Sequence, residues 1–304
     1  MLCEVGPRDG FQFEDQFIPT RVKAEIIEAL ADAGLRRIQV TSFVHPRKVP
    51  QMKDAEEVVD RLPEREGVTY AGLALNQRGL ERLCDAGLEQ ADLSIATHDR
   101  HSRDNAGMSA TEAAAEAEEM TQWALARDLS VQMGFQTVFG YEAPGDTPLA
   151  QVTALAERFA QYPLESLSLA DTTGMANPQM VRRRVEAVRE AAPGVPLVLH
   201  LHDTRGLGLA NVCAALEAGV ERFDTSLAGM GGCPFVHGAA GNVATEDTAY
   251  LFEQLGRETS VDYRRVAAAA RRVEDVLEKR FPGKLHRLPF VQEQAAGAAP
   301  RAVS

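Results

Sequence analysis

The chain has 304 residues, 45% of them apolar, which is enough to bury a sizeable core in one large domain or two smaller ones. Its 44 acidic residues outnumber the 32 basic ones, and a net charge of -12 without a basic block argues against a nucleic-acid or membrane-surface partner. The four cysteines are widely spaced and form no CxxC pair, which argues against a disulfide scaffold and a thiolate zinc cluster. The first residues resemble neither a secretory signal nor a transit peptide, so we expect a cytoplasmic protein.

Eight short apolar runs, each bounded by turn residues, predict eight strands. They are Leu2–Val5, Arg37–Thr41, Thr69–Leu73, Ala91–Ala96, Ser130–Gly134, Ser166–Leu169, Leu197–Leu201 and Phe223–Leu227. Segments of helical periodicity lie between them, at Thr20–Ala33, Asp54–Leu62, Gln77–Ala86, Ala110–Arg127, Pro148–Gln161, Pro178–Ala192 and Gly208–Ala218. Because strands and helices alternate, the sequence predicts an α/β fold, and eight units favour a closed (β/α)8 TIM barrel in a single domain.

Two further helices are predicted after the eighth strand. Glu246–Leu255 completes the last unit, and Asp262–Arg280 is an extra C-terminal helix. The end of the chain is Ala-rich and has no periodicity, so we expect a barrel domain over residues 1–285 and a loosely ordered tail over residues 286–304. The extra helix is also a candidate interface for a homo-oligomer, most simply a dimer.

The C-terminal ends of the strands are where a TIM barrel places its functional residues. Strand seven ends in His200 and His202, and the two-residue period of a strand points both imidazoles into the barrel. This pair of histidines alone is equally consistent with a metal site and with two histidines of the core. Asp9 follows strand one, beside Arg8, and would add a hard anionic ligand at the same rim, although such a triplet also occurs in ordinary surface turns.

A Gly-rich stretch after strand eight contains Cys233 and Asn242. Asn242 could give a neutral carbonyl oxygen to a metal, and Cys233, held between Gly-Gly and Pro, favours a positioned acid or nucleophile over an incidental thiol. Two His, one Asp and one Asn suit an octahedral Mg or Mn ion with open positions, and zinc is a less natural fit. Asp171, after strand six, could act as a base or orient a metal-bound water, or simply cap the following turn.

Five segments in chain order carry a resemblance to a known family. They are EVGPRDGFQ, TSFVHPRKVPQM, SLADTTGMANP, HLHDTRGLGLAN and GMGGCPFVHGAAGNVATED, and they span positions 4 to 247. This set resembles the motifs of the 3-hydroxy-3-methylglutaryl-CoA lyases, which are metal-dependent barrel enzymes related to isopropylmalate synthases. The resemblance implies retro-Claisen cleavage of a 3-hydroxyacyl-CoA, with 3-hydroxy-3-methylglutaryl-CoA giving acetyl-CoA and acetoacetate.

The resemblance also implies roles for individual residues. It makes Asp9, His200, His202 and Asn242 the ligands of a divalent metal and Arg8 the cation beside the thioester oxygen. It implies Cys233 as the thiol of a mobile loop and Asp171 as a polar partner of the site. In this chemistry Cys233 or a neighbour would protonate the product enolate. The expected contacts to the acyl-CoA substrate are Gln12, Ser42, Arg100 and Arg103. The two arginines could meet CoA phosphates or could equally be exposed loop charges.

Two positions depart from the family pattern. Gln39, at the end of strand two, stands where the family has a Glu, so a carboxylate near Arg8 and the metal is replaced by an amide. Phe139 lies in a segment where the lyases carry small residues, and it could resize the acyl pocket. These departures leave open a lyase for another acyl-CoA, such as citramalyl-CoA, and a catalytically silent metal-binding barrel. A condensing enzyme is a further alternative.

Overall fold

The computed structural model describes residues 1–232, 241–289 and 291, and it forms a closed barrel of parallel strands. The strands pair in chain order and the last pairs with the first. They are β1 (Leu2–Glu4), β2 (Arg37–Ser42), β3 (Thr69–Ala74), β4 (Gln90–Ala96), β5 (Ser130–Gln136), β6 (Ser166–Ala170), β7 (Leu197–His200) and β8 (Arg222–Thr225). The predicted (β/α)8 TIM barrel is confirmed.

Helices follow the strands and surround the barrel. They are α1 (Thr20–Asp32), α2 (Ala55–Asp60), α3 (Gln77–Asp85), α4 (Asp99–Ala106), α5 (Ala110–Leu125), α6 (Leu149–Phe159), α7 (Pro178–Ala191), α8 (Gly208–Glu217), α9 (Thr245–Gln254) and α10 (Tyr263–Leu277). The sequence missed α4, because its residues, DRHSRDNA, show no apolar period. Among the described residues, none of the helices combines the length and the apolar character needed to span a bilayer.

The apolar core lies between the outer face of the strands and the inner faces of the helices. Ile38 and Val40 of β2 are buried there, as are Leu93 of β4 and Val131 of β5. Alternate residues of the same strands point into the barrel. The core therefore fixes the direction of the inward-facing side chains.

The interior of the barrel is polar, whereas TIM barrels usually fill it with branched apolar side chains. Arg37 of β2 donates from Nη2 to Oδ1 of Asp92, on β4, over 2.5 Å. Its Nη1 lies 4.0 Å from Asp224 of β8, whose Oδ2 accepts from Ser168 of β6 at 3.4 Å. Side chains of four alternate strands are thus joined into one buried network below the rim.

The extra helix α10 packs against α1 and α9 and so fills the gap between the first and last helices of the ring. Beyond it, His286 is fully buried and lies between Glu246 and Glu274, at 2.8 and 3.1 Å. The division of the chain into a domain over 1–285 and a tail over 286–304 stays a prediction. Residue 290 and residues 292–304 lie outside the described part of the chain.

Candidate metal centre

Arg8 and Asp9 lie in a tight turn, Gly6–Gly10, that directly follows β1. The backbone N–H of Asp9 donates to the carbonyl oxygen of Val5 over 2.6 Å. A Cβ at Gly6 would lie 2.3 Å from a methyl carbon of Leu227, so only glycine fits this turn against the end of the barrel. The close packing therefore places Arg8 and Asp9 at the rim.

His200 ends β7, and His202 follows it on the same side of the chain. The backbone of His202 forms an isolated bridge with Asn242, which brings the chain after β8 to the same place. The Nε2 atoms of the two imidazoles are 3.2 Å apart, and Nε2 of His200 is 3.8 Å from Oδ2 of Asp9. One ligand atom from each of Asp9, His200 and His202 lies within 4.8 Å of the others, and all three residues are buried.

Asn242 completes the set of predicted metal ligands. Its Nδ2 donates to Oδ2 of Asp9 over 2.7 Å and to the carbonyl oxygen of Met230 over 3.1 Å. Its Oδ1 is buried and has no hydrogen-bond partner among the described residues. Buried polar atoms are nearly always paired, so an unpaired carbonyl oxygen beside a carboxylate and two imidazoles fits a bound cation.

The protonation states of the cluster also suit a cation. Burial raises the pKa of Asp9, but the charges of Arg8 and the histidines outweigh it and lower this pKa to about 2. Burial, followed by the proximity of His200, lowers the pKa of His202 to about 3. Burial also acts to lower the pKa of His200, but the hydrogen bond to Asp224 and the charge of Asp9 raise it. Asp9 is therefore an anion and His202 a neutral imidazole at neutral pH, which are the forms that could bind a cation.

Arg8 is held from two sides. Its Nη1 donates to Oδ1 of Asp9 over 2.5 Å, and its Nε donates to Oε1 of Gln39. Gln12 donates to the same Oδ1 of Asp9 over 3.0 Å. The side chain of Arg8 is 12% exposed, so it can still reach a substrate at the rim.

Asp171 lies just beyond β6, with its backbone N–H bonded to the carbonyl oxygen of His200. Its Oδ1 accepts from the backbone N–H groups of Met175 and Ala176, so it does cap the following turn. Its Oδ2 is buried without a partner among the described residues. Burial raises the pKa of Asp171 to about 7.

The remaining predicted site residues have different surroundings. Ser42 is fully buried, and its hydroxyl group has no partner in the described part of the chain. Arg100 and Arg103 lie on α4 and already form ion pairs, with Glu142 and Asp99 respectively. Cys233 lies outside the described residues.

Sequence reasoning missed three buried charged residues below the rim, Arg37, Asp92 and Asp224. Charged residues inside predicted strands were a signal, but their pairing across strands was not visible in the sequence. It also missed a cavity of about 230 Å³ beside the ends of β2 and β3, whose lining includes Phe43, His45, Arg78 and Arg82.

A closed (β/α)8 barrel with two imidazoles, a carboxylate and an amide converging at its C-terminal rim defines a barrel enzyme with a candidate divalent-metal site. Comparison with known proteins makes the class more specific. The HMGL-like family model matches residues 1–273. The chain belongs to the HMGL-like family and is a carbon–carbon lyase.

Similar proteins cover nearly the whole chain. A hydroxymethylglutaryl-CoA lyase of Bacillus subtilis is 39% identical over 93% of this chain and 95% of its own length. A Pseudomonas aeruginosa lyase for 3-hydroxy-3-isohexenylglutaryl-CoA and hydroxymethylglutaryl-CoA is 38% identical over 91% and 93%. The solved structure of an Acinetobacter baumannii HMG-CoA lyase with coenzyme A and 3-methylmalate has a TM-score of 0.89, 35% identity and coverage of 95% and 94%.

Proposed function

We propose that this chain cleaves 3-hydroxy-3-methylglutaryl-CoA to acetyl-CoA and acetoacetate with a divalent metal, Mg or Mn. The observation that carries the proposal is the convergence of Asp9, His200, His202 and Asn242 beside Arg8 at the rim of the barrel. The similarity to hydroxymethylglutaryl-CoA lyases along nearly the whole chain supports this substrate. Phe139 is fully buried in the apolar core, so it gives no reason to prefer another acyl group.

Asp9, His200, His202 and Asn242 would hold the ion. Two oxygen donors and two imidazoles suit Mg or Mn, with positions left for the substrate. A bound divalent ion lowers the pKa of a coordinated hydroxyl group and polarises a coordinated carbonyl. The side chains around the ion then determine where the proton and the electron pair move.

The reaction needs a base, an electron sink and an acid. A base removes the proton of the 3-hydroxyl group, the bond between C2 and C3 breaks, and its electron pair passes to the thioester as an enolate, releasing acetoacetate. Asp171 is the proposed base, because its Oδ2 is unpaired among the described residues and its pKa of about 7 suits proton transfer near neutral pH. Arg8 would stabilise the enolate oxygen, and Cys233 would donate the proton to C2 that gives acetyl-CoA.

The acyl-CoA would lie across the rim. Gln12 and Ser42 are proposed to contact its acyl and thioester part. To bind the CoA phosphates, Arg100 and Arg103 would have to break their ion pairs with Glu142 and Asp99 and pair with the phosphates instead. Arg78, in the cavity beside β2 and β3, is a competing phosphate contact. Comparing the KM values of Arg78→Ala and Arg100→Ala decides between the two positions.

The cellular setting is also part of the proposal. We infer a cytoplasmic homodimer, with α10 as the candidate interface. Sedimentation at several protein concentrations tests the oligomeric state.

The test of the function is turnover of the purified protein with Mg or Mn on 3-hydroxy-3-methylglutaryl-CoA and on citramalyl-CoA, scoring acetyl-CoA and the keto product. We expect cleavage of the first substrate, loss of turnover with a chelator and recovery when metal is added back. Asp9→Ala is the matched inactive control. Metal binding without cleavage of either substrate would contradict the proposal and support a silent barrel.

A further inference from the structure

A chain of buried contacts leads from Arg8 into the barrel. Nε of Arg8 donates to Oε1 of Gln39, and Nε2 of Gln39 donates to Oδ2 of Asp92. Oδ1 of Asp92 accepts from Nη2 of Arg37 over 2.5 Å. Gln39, Asp92 and Arg37 are each 3% exposed, so these hydrogen bonds are shielded from bulk water.

We propose that Asp92 is a positioning residue of the active site, which fixes the orientation of the Gln39 amide and thereby the position of Arg8. An amide has one accepting end and one donating end, whereas a carboxylate only accepts and a guanidinium only donates. Between Asp92 and Arg8, Gln39 therefore has a single orientation that satisfies both neighbours. Its carbonyl oxygen faces Arg8 because its amino group faces Asp92.

Asp92 is itself held firmly. The guanidinium of Arg37 donates to Asp92. The same guanidinium also donates to the carbonyl oxygen of Gln90 over 3.1 Å, when the Gln90 amide is oriented with that oxygen toward Arg37. Asp92 also lies on the central part of β4, which pairs with β3 and β5 on both sides. A carboxylate anchored in this way can transmit a defined orientation to Gln39.

Stability alone gives a weak reason for this arrangement. Arg37 and Asp92 form a buried ion pair, and replacing such pairs by apolar residues of similar volume is often neutral or stabilising. What an apolar pair could not do is distinguish the two ends of the Gln39 amide. The orientation of Gln39, and through it of Arg8, is therefore the property that Asp92 supplies.

A pair of single substitutions and their combination test this inference. Gln39→Glu places a second buried carboxylate against Asp92, so both stability and turnover should fall. In Asp92→Asn, the carbonyl oxygen of the new Asn side chain would still accept from Arg37, so its amino group would face the amino group of Gln39. Two donors would then face each other. The Gln39 amide would therefore turn and present its amino group, a donor, to Arg8. The combination exchanges the carboxylate and the amide between the two positions. The carboxylate at position 39 then accepts from Arg8 and from the amide at position 92, and the net charge of the wild type is restored.

We expect each single variant to lose at least about tenfold in kcat with little change in KM, and the double variant to recover most of it. Gln51→Glu is the matched control. Gln51 is a buried glutamine, 4% exposed, whose amide donates to the backbone instead of to Asp92, so adding Asp92→Asn to it should restore nothing. Additive losses in Gln39→Glu/Asp92→Asn, or a wild-type kcat in Asp92→Asn, would overturn the inference.

The inference rests on the proposed function where it concerns Arg8, and a second readout separates the two. Thermal unfolding of the four metal-free proteins measures the coupling between positions 39 and 92 without any substrate. If the wild type does not cleave the substrate but the unfolding midpoints show strong coupling between positions 39 and 92, the proposed function is refuted and the interaction between Gln39 and Asp92 stands. If the changes in unfolding midpoint of the two single variants simply add in the double variant, the interaction between Gln39 and Asp92 is refuted, whatever the activity.

Discussion

His200 and Asp224 lie on neighbouring strands, β7 and β8, and Nδ1 of the imidazole is 3.3 Å from Oδ2 of the carboxylate. An Nδ1–H bound to Asp224 leaves Nε2 as the free lone pair, and this atom faces His202 and Asp9. Partners of this kind fix both the tautomer and the ring orientation of a metal-binding histidine. Asp224 thus prepares His200 for its proposed ligand role through the imidazole, without being one of the proposed ligands.

Removing this carboxylate should weaken metal binding. We expect Asp224→Asn to lower the metal affinity about 10- to 100-fold with the barrel intact, measured by calorimetric titration and circular dichroism. Ser168→Ala is the control, because Ser168 bonds the same carboxylate but contacts neither histidine in the hydrogen bonds described. Equal affinities in Asp224→Asn and the wild type would show that His200 needs no such partner.

The proposed ligands themselves should be essential for the metal and dispensable for the fold. Asp9→Ala and His200→Ala remove groups at the rim, outside the apolar core, so both variants should fold and bind no ion. Metal content after dialysis and the unfolding midpoint check the two parts separately. Full occupancy in both variants would refute the site.

Cys233→Ser tests the proposed acid. A hydroxyl group is a poorer acid than a thiol at neutral pH, so kcat should fall far more than substrate binding weakens. Single-turnover kinetics and the dissociation constant of a non-cleavable acyl-CoA measure the two quantities. Unchanged turnover would remove Cys233 from the mechanism.

The buried His286 predicts a dependence of stability on pH. Burial acts to lower the pKa of His286, but the hydrogen bonds to Glu246 and Glu274 raise it above the value of the unfolded chain, about 6.5. A raised pKa in the folded state gives stability that is complete below about pH 6.5 and is lost as the pH rises through the folded pKa. The free energy of unfolding should therefore decrease across this interval.

Denaturant unfolding of the wild type and of His286→Gln at a series of pH values checks the assignment. The variant should be less stable by on the order of 3 kcal/mol at the acidic end, because the buried carboxylate of Glu246 loses its cationic partner. Glu274 keeps its ion pairs with Arg280 and Arg287. The contribution of residue 286 to the pH dependence should disappear with it. Parallel curves for the two proteins would contradict the assignment.

The sequence was sufficient to predict the barrel and the convergence of the proposed metal ligands at its rim, for a physical reason. Apolar runs and helical periods are local signals, and the parallel topology brings the ends of all strands to one rim. Asp9 and His202 are far apart in the chain, yet both follow a strand. Their meeting was therefore predictable without any knowledge of individual contacts.

The pairing inside the barrel was not predictable in this way. Arg37 and Asp92 are 55 residues apart, and their contact depends on the register of β2 and β4 within the closed barrel. The side-chain orientation of Gln39 depends on that contact in turn. Helix α4 was missed for a related reason, since nothing periodic in its polar sequence marks it as a helix.

The polar interior of the barrel also constrains how such a protein can diverge. Buried hydrogen bonds join Arg37 to Asp92 and Asp92 to Gln39, so a change at one of these residues leaves a buried charge or donor of its neighbour unmatched. A lineage that exchanges the amide at position 39 for a carboxylate must then pass through a less fit intermediate, whichever of positions 39 and 92 changes first. Substitutions at these positions should be inherited as a group, and variation at one of them alone should be rare among active homologues.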